Sequence, residues 1–119
     1  YVHARISSII EKGREKGIQP GSCDDDVLAK LDQPEEIALI KAMNRYPETI
    51  RLSAENMEPH RVTYYLMNLA SAFHSYYNKH RVLADDPDLA QARLFLVLAV
   101  KTIIKNGLTL LGVSAPEKM

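Results

Sequence analysis

From Leu89 onward the chain reads LAQARLFLVLAVKTIIKNGLTLLGVSAPEKM, with apolar residues on nearly every side of a 3.6-residue turn: Leu94, Leu96, Val97, Leu98, Val100, Ile103, Ile104, Leu108, Leu110 and Leu111. A helix that is apolar all round belongs in the middle of a bundle. Lys101 and Lys105 interrupt it four residues apart, which argues against a membrane span and against full burial of that edge. Ala92, Ala99 and Gly107 recur at roughly two-turn spacing, leaving a shallow groove for a neighbouring helix. Glycine inside a helix costs about 1 kcal/mol against alanine, so Gly107 implies a close packing contact or a kink. This stretch is expected to be the central helix of the domain.

The rest of the chain supplies helices to surround it. Residues 1–16 place Val2, Ile6, Ile9 and Ile10 on one stripe, followed by Lys12, Arg14, Lys16 and the stop signal Gly17. IQPGSCDDD reads as a loop. A helix is expected from Pro34 to Arg45, with Asp32 as N-cap, Glu35 closing a capping box, and Ile37, Ile40 and Met43 on its buried side. Tyr46-Pro47 ends it and opens a shorter helix to about Asn56. Pro59 starts another to about His80, with Val62, Leu66, Leu69, Phe73 and Tyr76 as its apolar stripe and Arg61, Tyr64, Asn68, Ser71, Ser75 and Lys79 opposite. Asp85, Asp86, Pro87 and Asp88 then begin the central helix. No segment alternates like a strand, so the fold class is all-α: a single domain over 1–119, a helical bundle of about five helices around a long central C-terminal helix.

Composition narrows the possible chemistry. The 119 residues are 46% hydrophobic and 25% charged, with zero formal net charge, ordinary values for a globular domain. The single cysteine, Cys23, excludes an internal disulfide framework, and its three aspartate neighbours raise rather than lower a thiol pKa. The histidines His3, His60, His74 and His80 fit no metal template, and the carboxylate runs 24–26 and 85–88 lack the spacing of a calcium loop. Gly13 and Gly17 form no phosphate loop, and no nucleophile elbow occurs. No catalytic residue, metal site or cofactor is expected in the chain. With no signal peptide, membrane segment or glycosylation sequon, the expectation is a cytoplasmic protein with no membrane or DNA partner. The opening on tyrosine in mid-helix reads as a piece of something longer.

The zero average conceals a segregation of charge. Acidic residues are absent from 59–84 and from 89–116, where Arg61, Lys79, Arg81, Arg93, Lys101 and Lys105 occur. Packing of the two long helices with the basic first helix would give one cationic face, a surface suited to phosphates.

YVHARI at the start, AFHSYYNKHRVL, ARLFLVLAV and the ending KNGLTLLGVSAPEKM together resemble the C-terminal domain of bacterial arginyl-tRNA synthetases, the helical anticodon-binding module called the DALR domain. The resemblance covers essentially the whole chain in the right order, and it implies the anticodon-binding fold of class I synthetases. It further implies a parent ligase joining arginine to its tRNA with ATP and magnesium in a catalytic domain of the same chain, whose signature motifs these residues do not contain. The implied partners are the anticodon stem-loop of arginine tRNA and that catalytic domain, in a monomer. In the family the tyrosine and arginine of the Tyr-x-His-x-Arg run and the terminal methionine lie at the anticodon; they match Tyr1, Arg5 and Met119.

The residues suit that role. Tyr1 and Arg5 lie one helical turn apart on one face, and a phenol ring and a guanidinium plane can each stack on an unstacked base. Arginine anticodons share a central C, the natural base to read. Met119 offers a flexible thioether and a terminal carboxylate. His3 faces elsewhere and reads as a packing residue, and Tyr76, Tyr77 and His74 read as core and rim. Lys101, Lys105 and Lys79 are candidates for the tRNA backbone, where they would add salt-dependent affinity without reading sequence. The alternative is a helical protein-interaction module without RNA binding, indifferent to changes at Tyr1, Arg5 and Met119.

Overall fold

Proline, glycine and capping side chains punctuate the chain into helices, and the computed structural model describes residues 2–15, 17 and 29–112, the side chains of Val2 and His3 excepted. Five α-helices are present among the described residues: α1 (Val2–Glu15), α2 (Pro34–Asn44), α3 (Tyr46–Glu55), α4 (His60–Lys79) and α5 (Pro87–Leu110). No strand occurs among these residues.

α2 starts at Pro34 as expected, but its N-cap is one residue out. Gln33, not Asp32, is the N-cap, with extended backbone angles (φ −72°, ψ 146°). Its amide donates to Glu36 Oε1 at 3.1 Å, so Glu36 rather than Glu35 closes the first turn. The buried side differs too. Glu36, Leu39 and Ala42 are buried, whereas Ile37 is exposed and Ile40 and Met43 are half-buried. The helix is rotated because its buried face carries a carboxylate whose partners come from α4 and α5.

Arg45 is both the C-cap of α2 and the N-cap of α3, so the chain turns there without a linker. Between α3 and α4 the Ser53 hydroxyl donates to the Glu58 carbonyl at 2.8 Å, and Met57 takes a left-handed φ of 54°. Asp86 caps α5 as the acidic run suggested, accepting from the Asp88 amide at 3.0 Å. Lys30 also reaches Asp86 Oδ2 at 3.1 Å. At its other end α5 stops at Leu111 and Gly112, whose φ of 77° is the left-handed turn that favours glycine. The expected continuation of the stretch to Met119 lies outside the described residues.

α5 is central: α1, α2 and α4 all pack on it, while α2 and α3 pack on α4. Its buried residues are Ala90, Ala92, Arg93, Leu94, Leu96, Val97, Val100, Ile104 and Gly107. The helix is not apolar all round, because Thr102, Lys105, Asn106, Thr109 and Leu110 form an exposed edge. Gly107 has the packing reason its position implied. A Cβ there would stand 2.8 Å from both Cδ atoms of Leu66, so α4 and α5 touch at this point because the side chain is missing. In α1, Ile6, Ile9 and Ile10 of the expected stripe are buried together with Ala4, and the Val2 side chain lies outside the described residues. Tyr46 ties α3 to α5, its hydroxyl donating to Asn106 Oδ1 at 2.5 Å.

Candidate nucleic-acid interface

α4 runs antiparallel to α5, with Leu66 against Gly107 and Tyr76 near Arg93 at the opposite end. That opposite end gathers the groups able to meet a nucleotide. Arg5, from the second turn of α1, places its guanidinium carbon 4.8 Å above the centroid of the Tyr77 ring, within the range of a cation–π contact. Tyr77 is 36% exposed and also lies against Phe73, with centroids 5.9 Å apart. His74 is half-buried beside the same Phe73. Arg5 and Tyr77 thus form one platform at the surface, built from a cation and an aromatic face.

Behind the platform lies a polar cluster in the core. Glu36 is completely buried, and its Oε2 accepts from the Tyr76 hydroxyl at 2.8 Å and from Arg93 Nε at 2.9 Å. Arg93 turns a second donor, Nη1, to the Arg81 carbonyl at 2.7 Å. Burial, with the Glu36 carboxylate accepting a hydrogen bond from the protonated hydroxyl, holds the Tyr76 phenol far above its ordinary pKa. Beside this cluster His80 Nε2 lies 2.5 Å from Glu35 Oε1, and Lys79 Nζ lies 3.8 Å from Glu35 Oε2. Hydrogen bonding to His80, aided by the Lys79 charge, holds Glu35 below the usual glutamate pKa.

The candidate lysines divide between two places. Lys101 and Lys105 line an open groove of about 460 Å³ along α5 with Leu98, Thr102, Asn106 and Thr109. Lys79 sits at the Arg5–Tyr77 end of α4. From Arg93 to Lys105 is twelve residues of helix, on the order of 18 Å along the axis, so Lys79 is not part of the α5 groove. Tyr1 and Met119 lie outside the described residues, as does the His3 side chain. Of the three proposed anticodon residues, Arg5 is the one the structure describes.

Tyr76 in the core and Tyr77 at the rim match the sequence expectation, whereas the burial of Glu36 and Arg93 was not expected from the sequence. Of the pair Tyr76-Tyr77, Tyr76 falls on the apolar stripe and enters the core, and Tyr77 lies just off it. Among the described residues, no group of three or more His, Cys, Asp or Glu side chains could hold a metal ion. No helix among them is long and apolar enough to cross a membrane.

Comparison with known proteins places this geometry. Residues 1–119 match the DALR anticodon binding domain family. The chain is 55% identical to the arginine–tRNA ligase of Desulfosudis oleivorans and 56% identical to that of Geobacter metallireducens, each over all of this chain but only 22% and 21% of the relative. It therefore spans about a fifth of the length of these curated relatives. Among solved structures, Thermus thermophilus arginyl-tRNA synthetase is similar over 100% of this chain and 20% of its own, with a TM-score of 0.84 and 32% sequence identity. Together with the all-helical bundle, these matches show that the chain belongs to the DALR anticodon-binding domain family.

Proposed function

We propose that this domain recognises the anticodon loop of arginine tRNA on behalf of a longer arginine–tRNA ligase. The observation that carries the reading is the Arg5–Tyr77 platform: the guanidinium of half-buried Arg5, its Nε inaccessible, over an exposed ring, in a chain of the anticodon-binding family. A loop base can stack on either partner, and such stacking contributes about 1–3 kcal/mol per base. The guanidinium can also donate to a base edge or a phosphate. Tyr1 and Met119 belong to the same proposed site by their match to the family motif, and the central C shared by arginine anticodons is the base proposed to be read.

The α5 groove with Lys101 and Lys105 has a different role in this reading. It holds the phosphodiester backbone of the anticodon stem, adding affinity that falls with salt. Lys79, already facing Glu35, contributes less. Arginine, ATP and magnesium are handled by a catalytic domain of the same polypeptide, in a cytoplasmic, monomeric enzyme.

The test is binding of an arginine anticodon stem-loop to this protein at low salt, against the same stem-loop with its central C replaced. The domain should prefer the C-containing loop, and Arg5→Ala and Tyr77→Ala should each remove most of that preference. Lys101→Ala with Lys105→Ala should weaken both loops alike and flatten the salt dependence. Equal affinity of the wild-type protein for both loops would refute base reading.

A further inference from the structure

The platform residue Tyr77 is adjacent in the chain to Tyr76, whose hydroxyl is anchored in the core on Glu36. The anchor is elaborate for a helix end. Adjacent carboxylates in the first turn of α2 take hold of the last turn of α4: Glu36 accepts from Tyr76, and Glu35 pairs with His80 and Lys79. Arg93 of α5 completes the arrangement, its two donors fixing Glu36 on one side and the Arg81 carbonyl just beyond α4 on the other. The Tyr76 and His80 rings also lie against each other, with centroids 5.4 Å apart.

A wholly buried ion pair adds little stability compared with apolar residues of the same volume. What it supplies is geometry, since a guanidinium holds two acceptors only in one orientation. Here both acceptors belong to segments that bracket or touch the last turn of α4, and Tyr77 projects from that turn towards Arg5. A rotation of the turn by a few degrees would move the outward-facing Tyr77 ring relative to α1.

We infer that Glu36, Tyr76 and Arg93 are positioning residues for anticodon recognition, acting as a buried latch that sets the Tyr77 ring under the Arg5 guanidinium. The inference rests on the anticodon reading proposed above. It makes the latch part of base discrimination rather than of stability alone, although none of its three side chains meets RNA.

The experiment compares Tyr76→Phe and Arg93→Lys with the control Tyr65→Phe. Tyr65 also donates a hydroxyl, to the Ala42 carbonyl at 2.5 Å, but it joins α4 to α2 far from Tyr77. Two readouts are taken on the 119-residue protein: the affinity ratio for stem-loops with and without the central C, and the ring-current displacement of the Arg5 side-chain NMR resonances. Tyr76→Phe and Arg93→Lys should lower the ratio by about 3- to 10-fold, a usual size for residues coupled through a shared contact. They should also shrink the ring-current displacement, while Tyr65→Phe lowers the melting temperature and leaves both readouts in place. Latch variants that melt earlier yet keep the wild-type ratio and displacement would overturn the inference and leave the anticodon reading standing. A wild-type protein with no preference for the central C would instead refute the anticodon reading, and the latch's role in recognition with it. The displacement would then still report whether the latch sets Tyr77.

Discussion

Replacing Gly107 with alanine tests the closest approach in the bundle. The added Cβ would stand 2.8 Å from Leu66 Cδ1 and Cδ2 and 3.1 Å from Cγ, where carbon atoms prefer about 3.5–4.0 Å. Because both δ-carbons and the γ-carbon are met together, turning the isobutyl end alone gives no clearance. Leu66 is buried in the core cluster, so it must take a strained rotamer or push the helices apart. Overpacking of this kind costs about 1–3 kcal/mol, against a gain of about 1 kcal/mol from alanine's better helix propensity. The net expectation is destabilisation by about 1 kcal/mol. In a Leu66→Ala background, itself weaker by about 2–5 kcal/mol, the clash is gone and the propensity gain remains. The same Gly107→Ala change should then stabilise by about 1 kcal/mol. This reversal of sign, a coupling of about 2 kcal/mol, is measurable by urea unfolding followed by far-UV circular dichroism. Stabilisation of similar size in both backgrounds would mean that α4 and α5 do not meet at Gly107.

Three further outcomes are expected. Arg93→Met strands the Glu36 carboxylate in the core and should destabilise by about 3–5 kcal/mol, whereas Glu36→Leu combined with Arg93→Met should recover a large part of that loss in the same urea assay. Met57→Gly relieves the left-handed backbone of an exposed side chain and should raise stability by up to about 1 kcal/mol, a gain readable as a higher midpoint at unchanged slope. Glu35, Glu48 and Asp86 are all held below their ordinary carboxylate pKa values, chiefly by hydrogen bonds from His80, Arg51 and Lys30 respectively. Their contributions are therefore full above the unfolded values near 4.5 and 3.8 and are lost as pH falls through the lower folded values. A series of melts should show a plateau above about pH 5 and a decline below it that is shallower in Glu35→Gln.

The parts of this fold written in local pattern were legible in the sequence. The apolar stripes of α1 and α4 and the aspartate cap of α5 follow from spacing and propensity alone, and these also single out Gly107 as a packing contact or a kink, between which the Leu66 contact decides. The rotation of α2 does not, because a glutamate counts as a solvated residue until partners are found for it. Those partners, Tyr76 and Arg93, are 40 and 57 positions away, beyond the reach of any helical period. Arg5 entered the candidate site through its place in a family motif. Tyr77 entered through tertiary structure, since its meaning lies in the helix that crosses it. The acidic cap of α2 fell one residue late for a related reason: Glu35 and Glu36 are equivalent locally, and the core chooses between them.

The pairing of α1 with α5 carries a consequence for how the chain assembles. The helices α2, α3 and α4 are neighbours in sequence and in space, joined by connections of a few residues, so their contacts can form early at little loss of chain entropy. The helix α1 packs mainly on α5, which lies more than 70 residues further along the chain. It must therefore wait, with Ile6, Ile9 and Ile10 uncovered, until α5 has been made. Its contacts with the bundle rest mainly on that one helix, so its amides should exchange with solvent through an opening that leaves α2, α3 and α4 packed, at free energies below that of global unfolding. Arg5 rides on this helix, so such an opening would carry the cation of the proposed platform away from Tyr77.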